Sequence, residues 1–323
     1  MSSIKVVPLE RRYIDRWNRF VDNSSNGTLF HRLDFLDYHG DKFREERQNI
    51  IWMKGESILA VMPMLTKNVE GQKHAVSPYG ASFGGIVTGS RMPLKTSESI
   101  AEAFLEYLQV KQISSCTITY PDTYVHRSPN AHIEFSLLRR SFSFMKAEVF
   151  SVIQLATEYK TARKRYEGRA RTSLRKALPY FEVQHHADMV EFYSILQEDK
   201  LRHDSEPTHS LEELLELQAR FPASIWCDIA THNNGARAGI LYVSLNRQVL
   251  MTFYMAQETA ALSLDGTNVL VDFGIQNAIK LGYKYFDFGG STLGYEIENI
   301  GVANFKESFG AGGYLRKTVK WDT

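Results

Sequence analysis

The segment from Leu281 to Gly313 reads LGYKYFDFGGSTLGYEIENIGVANFKESFGAGG, and it is the most informative part of the chain. Its apolar beginning is typical of a strand, which ends at Gly289-Gly290 and leads into a polar loop. Lys306 follows, between two aromatic residues and ahead of a glycine cluster. A lone cation in this setting suits a pocket that holds an anion.

Lys306 and Asp287 are the catalytic candidates in this segment. A fixed cation such as Lys306 can stabilise the oxyanion that develops during acyl transfer, although a surface lysine in an amphipathic turn has the same pattern. Asp287, at the end of a strand, can orient or deprotonate an incoming amine, or it can cap the glycine turn that follows. Glu296 and Glu298 are weaker candidates for a base. The Asp-Phe-Gly triplet does not indicate a kinase, because the chain lacks the glycine-rich and catalytic loops of kinases.

Composition indicates an ordinary globular protein. The 323 residues favour two domains, and 43% hydrophobic residues are enough for two cores. The net charge of +1 gives no overall case for binding DNA. Cys116 and Cys227 are expected to be buried thiols, and the histidines show no metal-binding spacing, so no metal is predicted. Because neither an apolar signal core nor a membrane-spanning run occurs, we expect a cytoplasmic protein.

Periodicity predicts two halves built on one plan. Each half begins with strands around an Ile-Trp pair, Ile51-Trp52 and Ile225-Trp226, and continues through tight turns to a helix. We therefore predict a tandem duplication, with domains at residues 1–154 and 155–323. In the second half, Asp188 and Ser210 are expected to cap helices, and Gly282 is expected to end one.

The segment Glu158 to Lys176 holds eight basic residues and only two acidic ones. One interpretation is a solvated helix face. The other is a phosphate-binding surface, because arginine side chains match phosphate oxygens in a bidentate fashion. A nucleotide sugar, a lipid diphosphate, coenzyme A and tRNA all carry such phosphates, and charge alone does not choose among them.

Four features together resemble the FemAB-type acyltransferases, which carry two tandem GNAT-like domains of α/β class with mixed sheets. The resemblance extends over nearly the whole chain, and the last of the four features is the most specific. The four are Trp17-Asn18-Arg19-Phe20 with Gly27 to Arg32, Ser77-Pro78-Tyr79-Gly80, the basic helix from Arg171 to Ala177 that opens the second domain, and Asp287-Phe288-Gly289-Gly290 with Phe305-Lys306 and Phe309-Gly310.

This resemblance implies an N-acyltransferase that moves an acyl or aminoacyl group from an activated donor to an amine of a cell-envelope precursor or amino sugar. The expected donor is acyl-CoA, and the amine substrate is a small, lipid-linked or nucleotide-linked molecule. One alternative is tRNA-dependent aminoacyl transfer to a peptidoglycan precursor. A second alternative is a non-catalytic pair of domains that binds a polyphosphate ligand.

By position, the resemblance places Lys306 in the transfer channel, and we expect substrate contacts at seven further residues, six of which lie in the motifs named above. Tyr254, on a strand, is either a substrate contact or a core residue. The seven are Arg171, Arg175, Lys176, Tyr254, Phe305, His31 and Arg32.

The chain departs from the family pattern in two places. It has no long coiled-coil hairpin of the kind found in some tRNA-using members. The stretch Ser263 to Asn268, where GNAT proteins bind pyrophosphate on closely spaced small residues, has a single glycine and an acid. The second departure puts ordinary acetyl-CoA binding by the second domain in doubt.

Overall fold

The computed structural model describes residues 3–292 and 300–323. Contacts divide the chain into two compact units, which we call unit 1 (Met1–Glu148 and Leu315–Thr323) and unit 2 (Val149–Tyr314). The sequence-based division at 154/155 differs from this one, because the structure assigns residues 149–154 to unit 2 and the last nine residues to unit 1. The dividing points fall within two strands, so the chain leaves and re-enters unit 1 along extended backbone.

Unit 1 contains a set of short strands and four helices. The strands are β1 (Lys5–Pro8), β2 (Ile50–Lys54), β3 (Ser57–Met62), β4 (Leu65–Val69), β5 (Gln72–Ser77), β6 (Val87–Thr88), β7 (Ile113–Thr119) and the beginning of β8 (Ser143–Gln154). The helices are α1 (Ile14–Asn23), α2 (Leu33–Leu36), α3 (Leu94–Val110) and α4 (His132–Leu138).

Unit 2 contains the end of β8 and the longer elements of the chain. Its helices are α5 (Tyr159–Lys164), α6 (Gly168–Ala177), α7 (Met189–Leu201), α8 (Leu211–Arg220), α9 (Gly266–Lys280) and α10 (Ile300–Glu307). Its strands are β9 (Phe181–Gln184), β10 (Ile225–His232), β11 (Arg237–Asn246), β12 (Val249–Gln257), β13 (Tyr285–Gly290) and the beginning of β14 (Gly312–Asp322), whose end pairs with β7 in unit 1.

Both units are built on the same plan. In unit 1, antiparallel strands lead to β5, which pairs in parallel with β7 across the crossover helix α3. In unit 2, the antiparallel strands β9 to β12 lead to the same arrangement, in which β12 pairs in parallel with β13 across α9. The mixed α/β class and the tandem arrangement expected from the sequence are therefore confirmed.

The core of unit 2 lies between α9 and the sheet. Val271, Ile275 and Ala278 of α9 are fully buried, and they pack with Trp226 and Tyr242 of the adjacent strands. The apolar stripe read from the sequence thus faces the sheet, as helical periodicity requires. Unit 1 buries its own apolar residues in two clusters, one of which contains Trp52 and Phe104.

The helix caps and the helix end predicted from the sequence of unit 2 are confirmed. The Asp188 carboxylate accepts hydrogen bonds from Val190 N (2.7 Å) and Glu191 N (3.1 Å), so it caps α7. Ser210 and Glu213 form the expected capping box of α8. Gly282, after α9, has a φ of +84°, which favours glycine.

Both cysteines are buried and free, as expected. Within residues 3–292 and 300–323, every helix is too short or too polar to cross a bilayer.

Gly274 allows α9 to approach the sheet closely, and we predict that Gly274→Ala destabilises unit 2. An added Cβ would lie 2.4 Å from the Tyr242 hydroxyl, which is buried and donates to Leu270 O. Such overpacking costs about 1–3 kcal/mol, less the roughly 1 kcal/mol that alanine gains in a helix. The measurement is the free energy of unfolding in urea.

Gly168→Ala is the matched control for Gly274→Ala. It makes the same chemical change in α6, where no atom lies within 4 Å of the added Cβ. We expect a neutral or slightly stabilising effect. Equal stability of the two variants would show that α9 does not pack on Tyr242 as described.

Candidate active site

The end of β13 places Asp287 next to a glycine turn. Asp287 is completely buried, and its Oδ1 accepts a hydrogen bond from Gly289 N at 2.7 Å. Gly289 has a φ of +77°, a conformation that costs a residue with a side chain about 1 kcal/mol or more. The carboxylate and the glycine together turn the chain so that its next carbonyl groups face α10.

Lys306, near the end of α10, donates to that turn. Its Nζ contacts Gly289 O (3.3 Å), Gly290 O and Ser291 Oγ (3.2 Å), and the residue is only 2% exposed. An ammonium group has three donors, so each has an acceptor here. The predicted lysine is thus buried at the end of the predicted strand, and it lies in a helix rather than in a loop.

Burial lowers the pKa of Lys306 to about 8, and the nearby Asp287 carboxylate acts against this shift. Desolvation penalises the ammonium form, whereas a negative neighbour favours it. Lys306 is consequently a cation at neutral pH, in surroundings with little water to screen its charge.

The glycine turn is also fixed from the side of β8. Ser291 N donates to Val149 O (2.7 Å), and Val149 N donates to Thr292 Oγ1 (2.9 Å). The hydroxyls of Ser151 and Ser291 share a hydrogen bond of 2.7 Å. These contacts hold the carbonyl groups that receive Lys306. Glu296 and Glu298, proposed from the sequence, lie outside the described residues.

β12 and β13 separate beside Asp287. Their parallel pairing ends at Met251 and Asp287, with Thr252 Oγ1 3.4 Å from Asp287 O, while β12 continues to Gln257. Two parallel strands that part leave a cleft at their carboxyl ends, which is where open α/β sheets bind ligands. We therefore expect a ligand-binding cleft of unit 2 to begin at this buried carboxylate.

Tyr254 lies on the part of β12 beyond this pairing. Its hydroxyl contacts His209 Nδ1 (2.8 Å) and Thr208 Oγ1, both in the loop before α8. Burial raises the pKa of Tyr254. Tyr254 thus has two polar partners in this loop, and its substrate contact stays a prediction. No pattern in the sequence pointed to Thr208 or His209.

Arg171, Arg175 and Lys176 are exposed on α6 and do not converge on Lys306. α6 begins near α10, where Glu167 N donates to Ser308 O at 2.8 Å. With a rise of about 1.5 Å per residue, Arg175 and Lys176 lie about 12 Å further along the helix axis. The predicted basic helix is therefore a surface that extends away from the lysine. The segment forms two helices, α5 and α6, instead of one.

His31 and Arg32 have partners within unit 1, and the acceptor contacts expected of them stay a prediction. His31 is fully buried, its Nδ1 accepts from Thr28, and its Nε2 donates to Gly84 O at 3.1 Å. Burial lowers the pKa of His31 to about 4. Arg32 forms hydrogen-bonded ion pairs with Asp22 and Asp34, which raise its pKa.

Phe305 is half-buried and packs on Phe309, with ring centroids 5.5 Å apart. It helps to seat α10 and so supports Lys306.

The corresponding cleft in unit 1 is filled by the chain itself. Where β5 and β7 end, Gly84 N donates to Thr119 O (2.9 Å), and Gly85 N donates to Ser77 Oγ (2.9 Å). Phe83 is fully buried beside these glycines, and the Arg316 guanidinium lies 4.9 Å from its ring centroid. Phe83, Gly84 and Gly85 are thus packed in the interior of unit 1.

The N-terminus of α9 offers no open glycine loop. An added Cβ at Gly266 would lie 2.9 Å from Phe181 and 3.1 Å from Ala238, so this glycine serves close packing. Asp265, at the N-cap, has a φ of +62°. The departure from a pyrophosphate-binding loop noted in the sequence is therefore also present in the geometry.

No family model matches this sequence, and no curated protein matches it. Solved structures do share the fold. FemX is similar with a TM-score of 0.70 and 11% identity, over 99% of this chain and 97% of that chain. The C-terminal domain of a putative lysylphosphatidylglycerol synthetase from Agrobacterium fabrum has a TM-score of 0.58 and 13% identity, over 96% and 91% of the two chains. A tandem GNAT protein from the clavulanic acid biosynthesis pathway has a TM-score of 0.53 and 10% identity, over 99% and 98%.

These similarities establish the fold of the chain. The chain shares the fold of FemX and of a tandem GNAT protein, so the tandem GNAT-like fold expected from the sequence is confirmed.

Lys306 should make the stability of the protein rise between pH 8 and 10.5. The unfolded chain keeps this proton up to the ordinary pKa of 10.5, whereas the native lysine releases it at about 8. Between these values the unfolded state binds more protons, so stability rises with pH, by at most about 3 kcal/mol. Urea unfolding of wild type and Lys306→Met across this range isolates the effect, because the variant lacks the titrating group. A difference between the two proteins that does not change with pH would contradict the lowered pKa.

Proposed function

We propose that this protein is an N-acyltransferase that transfers an acyl or aminoacyl group from an activated donor to an amine. The observation that carries the proposal is the position of Lys306. Its buried ammonium group and Asp287 lie where the pairing of β12 and β13 ends, the position at which open α/β sheets bind ligands. The shared fold with FemX and a tandem GNAT protein supports the same reaction class.

The proposed reaction needs a fixed positive charge. The amine nitrogen forms a bond to the acyl carbon, the carbonyl becomes an oxyanion, and the bond to the leaving sulfur or oxygen then breaks. The amine proton leaves with the departing group or with solvent. Lys306 stabilises the oxyanion through its field and not by a direct hydrogen bond, because its three donors already have acceptors. Since a direct donor contributes about 3–4 kcal/mol, that value is the upper end of the effect expected here. Asp287 keeps the lysine charged and holds the turn that positions it.

The donor is proposed to bind in unit 2. Beyond Thr252, β12 no longer pairs with β13, and we propose that an extended donor lies along this part of the strand. In unit 1 the same position is occupied by Phe83 to Gly85. We therefore assign to unit 1 either contacts with the amine substrate or a purely structural role.

Acyl-CoA is the first candidate donor, with an amine of a cell-envelope precursor or amino sugar as acceptor in the cytoplasm. Because Gly266 is packed against Phe181, the coenzyme's pyrophosphate would have to be bound by side chains instead of a glycine loop.

The second candidate is tRNA-dependent aminoacyl transfer to a peptidoglycan precursor. It is favoured by the likeness to FemX, which extends over nearly the full length of both chains. A third candidate is a pair of domains that binds a polyphosphate ligand without catalysis. The complete set of acceptors around Lys306 favours that candidate, because no donor of the ammonium group is left free for a substrate.

Ligand-induced stabilisation distinguishes these candidates. A ligand at ~100 times its dissociation constant adds about 2.7 kcal/mol to the free energy of unfolding. We expect one acyl-CoA to raise the unfolding temperature in a panel that also contains aminoacyl-tRNA and UDP-linked amino sugars. A shift with aminoacyl-tRNA alone would support the second candidate. A ligand that binds without any product formation would support the third.

The catalytic role of Lys306 is tested by Lys306→Ala. If the ammonium stabilises the oxyanion, turnover falls roughly ten- to a thousand-fold, because one preorganised electrostatic contact is lost. The assay is single-turnover product formation with the donor identified by the panel, and unfolding by urea checks the fold.

Lys280→Ala removes an equal charge from an exposed position on α9, and it should keep the wild-type rate. Unchanged turnover in Lys306→Ala would remove the lysine from the mechanism.

A further inference from the structure

The helices α5 and α6 present a surface that the proposed reaction does not use. We call it the basic surface and define it by its seven exposed cations. These are Lys160, Lys164, Arg165, Arg169, Arg171, Arg175 and Lys176. Only Glu158 and Glu167 oppose them in this segment, although the whole chain has a net charge of +1. Positive charge is therefore concentrated here and offset elsewhere.

None of the seven cations forms a salt bridge with a carboxylate in the part of the chain that the structure describes. By contrast, Arg32 and Arg237 each pair with an acid at 2.6 Å or less. Like charges on one short segment repel each other, so an unpaired cluster destabilises the isolated fold slightly. A bound polyanion removes that repulsion.

The two helices that carry the basic surface are packed against the core of unit 2. The Tyr159 hydroxyl donates to both carboxylate oxygens of Asp272 on α9, at 2.7 and 2.6 Å. Ala170 and Leu174 of α6 are fully buried against the core, next to Phe309. The cations thus project from a fixed scaffold, unlike those of a disordered tail, and a partner need not order the backbone when it binds.

Two apolar side chains are exposed directly after α6. Leu178 is 39% exposed and Tyr180 is 53% exposed. Arg171, Arg175 and Leu178 follow the spacing i, i+4, i+7, so they share one side of the helix. A partner at this side therefore meets guanidinium groups and an aliphatic side chain together.

We propose that the basic surface docks the protein on a bilayer that contains anionic phospholipids. A bilayer offers phosphate groups to the arginine and lysine side chains and, just beneath them, an apolar layer for Leu178 and for the exposed part of the Tyr180 ring, which also packs on the His232 ring with centroids 5.9 Å apart. Clusters of four to eight basic residues beside apolar anchors are the usual signature of such docking. RNA also offers phosphates, but it has no aliphatic layer for Leu178.

Docking places unit 2 at a membrane. Glu167, the N-cap residue of α6, donates to Ser308 O, two residues from Lys306, so Lys306 lies in the same unit as the lipid contact. A lipid-linked amine would then be concentrated at the surface where the enzyme works. The docking itself does not depend on the acyl-transfer chemistry, so it is testable without a known substrate.

The experiment is co-sedimentation of the full chain with vesicles. One set consists of phosphatidylcholine alone, and the other is an equimolar mixture of phosphatidylcholine and phosphatidylglycerol. We expect binding to the mixed vesicles, weakened by added salt, and none to phosphatidylcholine. At about 1 kcal/mol per cation, Arg171→Ala with Arg175→Ala should weaken binding about 25-fold. Leu178→Ser with Tyr180→Ser should lower the binding that persists at high salt.

Arg91→Ala with Lys95→Ala is the matched control, since it removes two exposed cations from unit 1. It should bind like the wild type. Absence of wild-type binding to mixed vesicles, or equal losses in the control and the basic-surface variant, overturns the proposal. Binding to tRNA without binding to mixed vesicles also overturns it, and would assign the basic surface to RNA.

Discussion

Parallel strands cannot be joined by a tight turn, and this constraint governs both units of the protein. Each parallel pair needs a crossover helix, α3 in unit 1 and α9 in unit 2. The helix covers one face of the strands, while their carboxyl ends remain open where the pairing stops. Asp287, the glycine turn and the carbonyl acceptors of Lys306 all lie at that end in unit 2. The site is therefore a consequence of strand direction as much as of the side chains that occupy it.

The carboxyl ends of the parallel strand pair have different surroundings in the two units. In unit 1 the chain returns to them, and backbone groups of Gly84 and Gly85 bond to the strand ends. In unit 2 the pairing of the strands ends beside a buried carboxylate and a buried ammonium group. The filled position in unit 1 adds hydrogen bonds and buried apolar area to that unit. The corresponding position in unit 2 has charged groups in place of apolar filling, which suits a polar ligand.

Sequence patterns predicted the parts of the fold that depend on side chains close to one another in the sequence. The caps at Asp188 and Ser210, the helix end at Gly282 and the apolar stripe of α9 are such features, and each is present. The partners of Lys306 could not be predicted, because two of them are carbonyl oxygens that every residue carries. The burial of His31 could not be predicted for a related reason: it depends on residues distant in the sequence, such as Gly84. The basic segment was recognised correctly as charged, whereas its break into two helices depends on packing against α9.

The ammonium group of Lys306 is held mainly by main-chain oxygens, and this has a consequence for how the protein can diverge. Substitutions in the turn alter side chains and leave those oxygens in place, provided that the backbone keeps its course. A lineage can therefore exchange most residues around such a centre and retain its geometry. This is one physical reason why a chain with only 11% identity to FemX still superposes on it over nearly its whole length, while no profile of residue preferences detects it.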